Sequence, residues 1–307
     1  MAATENNIIA ERLLPNSHVY NERNSVKYKI SCQERLNTSE ETSSWLELTE
    51  LIDHDSKDYK VYKSLLDKKR VIAAKIGPKT LKEEYEIGAK LEELDLPTFI
   101  SFNCLFNCLD NFSTMNTTRK YVCKKEGDPI NILIMPFIKD GRLDKWKWNR
   151  DNLNVLKNVM KHICMSLLLA SQKLNFIHDD LHLANILLKK TQKKQVIYGD
   201  LGSLELMGLL PVIMDFEKSK FTPIKDKSVF TDIKRMSYSI FAELGITFDI
   251  NTEFVLGSLI QNYHINKLPV TQEMCSDICK AIDGLKIVSL LTNRPKTPDW
   301  LKPAVSK

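Results

Sequence analysis

The residue types best suited to chemistry cluster between positions 178 and 202. His178-Asp179-Asp180-Leu181-His182-Leu183-Ala184-Asn185 places a carboxylate five residues before an Asn, and Asp200-Leu201-Gly202 follows fifteen residues later. Phosphoryl transfer from ATP needs such a set, with one Asp orienting the attacking hydroxyl while an Asn and another Asp hold Mg²⁺ on the phosphates. These oxygen donors suit a hard cation. We therefore predict Asp180 as the base or hydroxyl-positioning carboxylate, and Asn185 and Asp200 as metal ligands.

The pattern H-x-D-L-x-x-x-N…D-x-G resembles the catalytic loop and metal-binding motif of the protein-kinase superfamily. Val71-Ile72-Ala73-Ala74-Lys75 is similar to the family's V-A-I-K strand, and the resemblance implies that Lys75 contacts the ATP phosphates. A helix Glu orients this Lys in the family. Of the acidic residues on the next helix, Glu84 shares a face with Ile87 and Leu91, so we expect Glu84 to be the partner.

The same resemblance implies further binding residues. Met135 corresponds to the residue at the back of the adenine pocket, and Phe137 and Ile138 belong to the hinge whose backbone would bind adenine. The segment from His54 to Lys63 fits the register of the family's Gly-rich lid, G-x-G-x-x-G-x-V-Y-K, which assigns Ser56 and Val61 to nucleotide binding. Asp232 resembles the buried Asp that braces the catalytic-loop backbone, and His178 is interpreted as a structural histidine that holds the loop.

The elements that must position these residues are predicted from hydrophobic periodicity. Strand-like runs dominate the first half and helical patterns the second, which indicates an α+β, two-lobed protein-kinase-like fold with a small β-rich N-lobe and a helical C-lobe. We predict an N-terminal extension at 1–44, the N-lobe at 45–138 and the C-lobe at 139–307. The predicted strands are at 60–63 and 71–76, joined by a charged hairpin turn at 67–70, and at 132–135. Helices are predicted at 80–94, 151–173 and 232–244, and a further hairpin joins strands 186–188 and 196–198.

Four departures from the family pattern bear on function. His54, Ser56 and Tyr59 replace all three Gly of the lid, so the backbone would approach the phosphates less closely. Asp179 stands where the family has Arg, which removes a partner for a phosphorylated loop. His182 replaces the Lys usual in Ser/Thr kinases, which makes the loop also resemble that of small-molecule kinases. The A-P-E motif that closes the activation segment is missing between Gly202 and Asp232.

Composition bounds the remaining possibilities. The chain has 307 residues, of which 43% are hydrophobic, and this is enough for a sizeable core. Its net charge of +5 is too small to indicate nucleic-acid binding. No run of apolar residues approaches the length of a membrane span, and no signal peptide is recognised. Seven Cys without a secreted-type framework predict reduced thiols and an intracellular protein, located in the cytoplasm, which for a viral or effector protein is that of the host cell.

The leading hypothesis is an ATP- and Mg²⁺-dependent phosphotransferase that phosphorylates Ser/Thr of a protein substrate. Its divergence resembles that of kinases from large DNA viruses or bacterial effectors. Two alternatives stay open. One is a small-molecule kinase of the aminoglycoside-kinase type, and the other is a pseudokinase binding module, favoured by the Gly-free lid.

Overall fold

The computed structural model describes residues 46–53, 58–115, 122–123, 126–222, 229–266 and 269–290. The predicted extension at 1–44 and Ser56 of the predicted lid lie outside the described residues. The chain forms two compact units. The first comprises the described residues up to Glu93 together with Ile100–Phe137, and the second comprises Leu94–Phe99 together with the described residues from Ile138 onward.

The first unit is built on an antiparallel five-stranded sheet in the order β1-β2-β3-β5-β4. One helix, α1, follows the third strand along the chain. The elements are β1 (Leu46–Asp53), β2 (Lys60–Leu66), β3 (Arg70–Gly77), α1 (Lys82–Leu91), β4 (Cys104–Asp110) and β5 (Asp128–Pro136).

The hairpin between β2 and β3 forms where the charged turn predicted it. Asp67 and Lys68 both have positive φ angles, 52° and 58°, and Lys69 donates its N–H to the carbonyl of Leu66 at 3.1 Å. A β-turn with positive φ at both central positions matches the right-handed twist of the strands it joins. The resulting register pairs Val61 with Lys75.

Alternation along β3 assigns its side chains to two different environments. Ile72, Ala74 and Ile76 belong to the buried hydrophobic cluster of the first unit, whereas Ala73 and Lys75 point to the opposite face because successive strand residues alternate. Lys75 is therefore carried by a strand whose other face is anchored in the core. Gly77 ends this strand, and a Cβ there would lie 2.3 Å from the carbonyl oxygen of Asp58, so that only Gly permits this close approach.

A disulfide bond joins Cys108 on β4 to Cys123 in the connection toward β5. The sequence-based expectation of reduced thiols is therefore wrong for this pair, because strand pairing and the connection bring together two Cys that are 15 residues apart. Asp110 adds a second tie, since its buried carboxylate accepts the N–H groups of Asn111 and Cys123.

The second unit is mainly helical, with short strand pairs between its helices. The long helix α2 ends at Asn175, whose φ of 55° places it in the left-handed conformation that commonly terminates helices. The elements are α2 (Leu153–Leu174), β6 (Phe176–Ile177), β7 (Ile186–Lys190), β8 (Gln195–Ile197), β9 (Ser203–Glu205), β10 (Leu209–Ile213), β11 (Lys220–Phe221), α3 (Val229–Leu244), β12 (Ile246–Phe248), α4 (Ile250–Asn266), α5 (Gln272–Gly284) and β13 (Ile287–Leu290).

Strand pairing in this unit corrects one prediction. The strand from Ile186 pairs with β10, not with the strand that includes Val196. The latter, β8, pairs with β9 and forms a separate hairpin between the two partners. The mixed α+β class is confirmed, and no helix in the described part of the chain has the length and apolar character needed to cross a membrane.

Gly88 offers a test of packing in the first unit. It is buried on α1, and a Cβ at this position would lie 2.2 Å from the ring of Phe102. We expect Gly88→Ala to destabilise the protein by about 1–3 kcal/mol, as over-packed cores do. The matched control is Gly257→Ala on α4, where a Cβ meets no atom within 4 Å and better helix propensity should be neutral or stabilising. Equal unfolding free energies for both variants in denaturant titrations would contradict this packing.

Candidate active site

Lys75 and Glu84 form a buried ion pair in the first unit. The Lys75 Nζ lies 2.7 Å from the Glu84 Oε2, and each residue is 3% exposed. Glu84 is turned inward by α1, where Glu84, Tyr85, Gly88 and Leu91 are the buried positions. This is the pair that the sequence predicted, and its contact with ATP stays a prediction. Breaking a buried pair by removing one partner is costly because the other charge is left uncompensated.

The face of the sheet that carries Lys75 brings several predicted binding residues together. Val61 on β2 and Leu133 on β5 are the direct cross-strand neighbours of Lys75, and Met135 is the neighbour of Ala73. Side chains at such positions lie on one face of the sheet. Ala73 and Leu133 lie on the same face, where strand alternation could have placed them, but the sequence prediction did not name them. Phe137 and Ile138 follow β5 directly, at the boundary between the two units, and both are half-buried.

Tyr59 occupies the space next to the Lys75 ammonium. The Nζ lies 4.0 Å from the centre of the Tyr59 ring, within the range of a cation–π contact. Tyr59 is the residue that stands at the third Gly position of the lid register. The Tyr59 ring thus contacts the Lys at a position where the resemblance implies Gly.

In the second unit, a buried carboxylate supports the segment that holds Asp180. Asp232 on α3 accepts the backbone N–H of His178 at 2.8 Å and that of Asp179 at 3.0 Å, and Arg235 donates to the carbonyl of Asp179. Asp232 is 0% exposed, and burial raises its pKa to about 7, whereas the two N–H donors lower it. This is the brace that the resemblance implied.

Asp180 and Asn185 lie in the segment held by this brace. Asn185 is buried and donates its Nδ2 to the carbonyl of Asp180 at 3.1 Å, so its Oδ1 is the end of the amide that remains for a cation. The Asp180 Oδ2 lies 2.8 Å from the Nζ of Lys218. The adjacent carboxylate of Asp179 lies 2.7 Å from the Nζ of Lys220.

A residue that the sequence prediction missed, Asp215, joins this group. It follows β10, and its neighbour Met214 is tied to the loop twice. Met214 donates its N–H to the Asn185 carbonyl at 3.0 Å, and its own carbonyl accepts from the His178 Nε2 at 3.0 Å. Asp215 acts electrostatically on both His178 and His182, as does Asp180. The structure therefore gathers Asp180, Asn185 and Asp215 around one braced loop.

Asp200 is not brought to this group, which corrects its predicted place beside Asn185. It lies in the turn of the β8–β9 hairpin, exposed, with its carboxylate oxygens 3.2–3.3 Å from the Nζ of Lys173 at the end of α2. The hydrogen bond from Lys173 lowers the pKa of Asp200. The physical reason is that residues 191–208 are inserted between β7 and its pairing partner β10. The carboxylate that directly follows β10 is that of Asp215, whereas Asp200 belongs to the insertion.

An aromatic cluster positions Asp215. Phe216 is fully buried and contacts Phe176 edge-on at 6.1 Å, Phe99 at 6.3 Å and His178 at 5.9 Å between ring centres. Asp215 itself has a φ of 65°, a conformation that costs free energy in a non-Gly residue and is often found at functional sites. The apolar run from Leu209 to Met214 ahead of Asp-Phe was the sequence signal that could have found it.

The surroundings of both histidines of the loop lower their pKa and so favour the neutral imidazole. Burial lowers the pKa of His178, which is 0% exposed and whose Nδ1 has no hydrogen-bond partner in the described part of the chain. Burial also lowers the pKa of His182, against the opposing effect of Asp180 and Asp215. His178 orients the loop by donating its Nε2 hydrogen to the Met214 carbonyl.

Comparison with known proteins places parts of this chain near a kinase. It is 34% identical to serine/threonine-protein kinase haspin of Bos taurus over 97 residues, 30% of this chain, and 33% identical to haspin of Mus musculus over 81 residues, 25% of this chain. It is also 25% identical to the uncharacterized protein 098R of Invertebrate iridescent virus 6 over 169 residues, 46% of this chain.

The matched segments span 12% and 11% of the two haspins and 27% of the viral protein. No protein-family model matches the chain. The similarity therefore indicates a kinase-like relationship for part of the chain, and whole-protein activities are matters for proposal.

The Asp232 brace leads to a prediction about local stability. Asn at position 232 has only one oxygen, so Asp232→Asn loses one of two buried N–H bonds. We expect a cost of about 1–3 kcal/mol and faster amide hydrogen exchange at His178 and Asp179. Asp110→Asn is the matched control, since Asp110 is also a buried carboxylate that accepts two backbone N–H groups, but in the first unit. It should leave exchange at residues 178–179 unchanged.

The pH dependence of Asp232 has a defined sign. Its pKa in the folded protein, about 7, lies above its ordinary value of 3.8, so the folded state holds this proton more tightly than the unfolded state. The corresponding stabilisation is complete below the ordinary value and is lost as pH rises through about 7. The Asn variant should lack this part of the pH dependence; an identical slope in both proteins would contradict the assignment.

Proposed function

We propose that this protein is an ATP- and Mg²⁺-dependent phosphotransferase of the protein-kinase type that acts on Ser/Thr of proteins. The observation that carries the proposal is the gathering of Asp180, Asn185 and Asp215 around a loop braced by a buried Asp. The partial similarity to haspin, which is named as a serine/threonine kinase, supports the same reaction and the same class of acceptor.

Each residue has a role that follows from its surroundings. Asp180 accepts the proton of the attacking hydroxyl, because it is a partly exposed carboxylate on a rigid loop. Lys75, held by Glu84, binds phosphate oxygens as a fixed positive charge. The face that carries Ala73, Leu133 and Met135 supplies an apolar surface for adenine, and Phe137 and Ile138 supply backbone groups.

The oxygen donors of the loop fit a magnesium ion. Mg²⁺ prefers oxygen ligands and is usually held by one or two carboxylates together with substrate phosphates and water. Asn185 through its Oδ1 and Asp215 through its carboxylate would hold it. The bound ion would neutralise charge on the phosphates.

The corrected metal ligand is tested by a pair of variants. Asp215→Asn should lower turnover by on the order of 10²–10³-fold or more, because an electrostatic contact with the reacting phosphates is lost. Asp200→Asn should remain within about threefold of wild type, because Asp200 pairs with Lys173 in an exposed hairpin. The measurement is transfer of labelled phosphate from ATP with Mg²⁺ to a generic protein acceptor, to small hydroxylated compounds and to no acceptor, together with nucleotide binding.

Three outcomes of that assay are decisive. Loss of turnover in Asp200→Asn with an active Asp215→Asn would restore the ligand predicted from sequence. Transfer to small hydroxylated compounds but to no protein would assign the chain to the small-molecule kinases. Nucleotide binding without any transfer by wild type would assign it to the pseudokinases.

The Tyr59 ring gives a separate prediction for nucleotide affinity. The ring and a phosphate compete for the Lys75 ammonium, and a cation–π contact is worth about 0.5–2 kcal/mol. Tyr59→Ala should therefore tighten ATP binding by roughly 2- to 30-fold, whereas Tyr59→Phe, which keeps the ring, should bind like wild type. Titration with a fluorescent nucleotide measures both. Weaker binding by the Ala variant would mean that the ring contacts the nucleotide itself.

A further inference from the structure

The catalytic loop lacks a lysine between Asp180 and Asn185, where His182 replaces the residue usual in Ser/Thr kinases. The second unit nevertheless places an ammonium group at Asp180. The Nζ of Lys218, three residues after Asp215, lies 2.8 Å from the Asp180 Oδ2. The cation thus comes from a different segment of the chain than the loop.

The backbone around Lys218 is held on both sides. Phe216 is fully buried in the aromatic cluster, and Ser219 is buried, donates its hydroxyl to the His178 carbonyl at 3.0 Å, and donates its N–H to the Phe216 carbonyl at 3.0 Å. The strand pair β6–β11 begins at the next residue, Lys220. These contacts anchor the Lys218 backbone beside the loop, while its side chain keeps enough exposure, 46%, to change partner.

Stability does not explain this ion pair. Pairs between partly exposed side chains contribute about 0–1 kcal/mol. In phosphoryl transfer, however, negative charge is spread over the transferred group, and a Lys or Arg placed beside that group stabilises the transition state. A lysine in contact with the carboxylate that receives the hydroxyl proton is within reach of the same reacting atoms.

We propose that Lys218 is a catalytic residue that supplies the cation missing at position 182, an inference that rests on the proposed function. The acceptor hydroxyl oxygen forms a bond to the γ-phosphorus as the bond from that phosphorus to the β,γ-bridging oxygen breaks. The bridging oxygen leaves with the electron pair as part of ADP, and the hydroxyl proton passes to Asp180. While these bonds change, the Lys218 ammonium moves its hydrogen bond from Asp180 to the oxygens of the transferring phosphoryl group.

Lys218→Met should lower kcat by on the order of 10²-fold and leave the KM for ATP within about twofold, because the contact forms in the transition state. Lys218→Arg should retain most activity. Lys173→Met is the matched control, since Lys173 also pairs with an Asp and is equally exposed, at 47%, but lies at the hairpin away from the loop. Its turnover should equal that of wild type.

Relocating the cation separates catalysis from structure. His182→Lys in the Lys218→Met background should recover at least about tenfold of the lost kcat, whereas a merely structural Lys218 would not be replaced from position 182. Thermal unfolding of each variant shows whether it is folded. If the double variant is unfolded, the kcat of Lys218→Met alone decides whether Lys218 is catalytic.

The outcomes distinguish this inference from the proposed function. If wild type transfers phosphate and Lys218→Met does so at the same rate or faster, Lys218 is not catalytic, and a faster variant would make the ion pair inhibitory. If wild type transfers no phosphate to any acceptor, the proposed function fails and this inference fails with it.

Discussion

The site depends on one buried carboxylate. Asp232 is fully enclosed at the start of α3, where an unpaired charge would cost several kcal/mol. It is retained there by the backbone N–H groups of two consecutive residues, His178 and Asp179. That pairing fixes two successive peptide groups, holds Asp179 at a φ of 62°, and thereby sets the direction in which Asp180 leaves the loop. The other contacts of the loop add to a backbone that is already fixed.

Features that depend on neighbours in the chain could be predicted from the sequence. The turn at Asp67 and Lys68, the helix α2 and the choice of Glu84 as the partner of Lys75 all follow from strand alternation, helical spacing and local charge. The mixed α+β class follows from the same patterns. The Asp232 contact was reached by resemblance, because no local rule links residues that are 53 and 54 positions apart.

Features that depend on long-range pairing could not be predicted. The motif D-x-G at Asp200 has the expected spacing. However, β7 pairs with β10, and the β8–β9 hairpin forms separately within residues 191–208. Strand partners are selected by burial: all five residues of β10 are buried, whereas two of the three residues of β8 are exposed. Spacing along the chain carries no information about that competition, so the sequence prediction selected Asp200, which lies in the hairpin.

The strand pairing also explains why the hairpin inserted at residues 191–208 does not separate Asp215 from the loop. Both strands that flank the insertion are tied to each other in register, and Met214 is hydrogen-bonded to Asn185 and His178 by backbone and ring. Asn185 and Asp215 are therefore neighbours in space although they are far apart along the chain. The positions of Lys218 and Lys220 are set in the same way, because the pairing of β11 with β6 returns the chain beside the loop. Position 179 is acidic in this chain, and the cations that balance the loop are delivered from that returning segment.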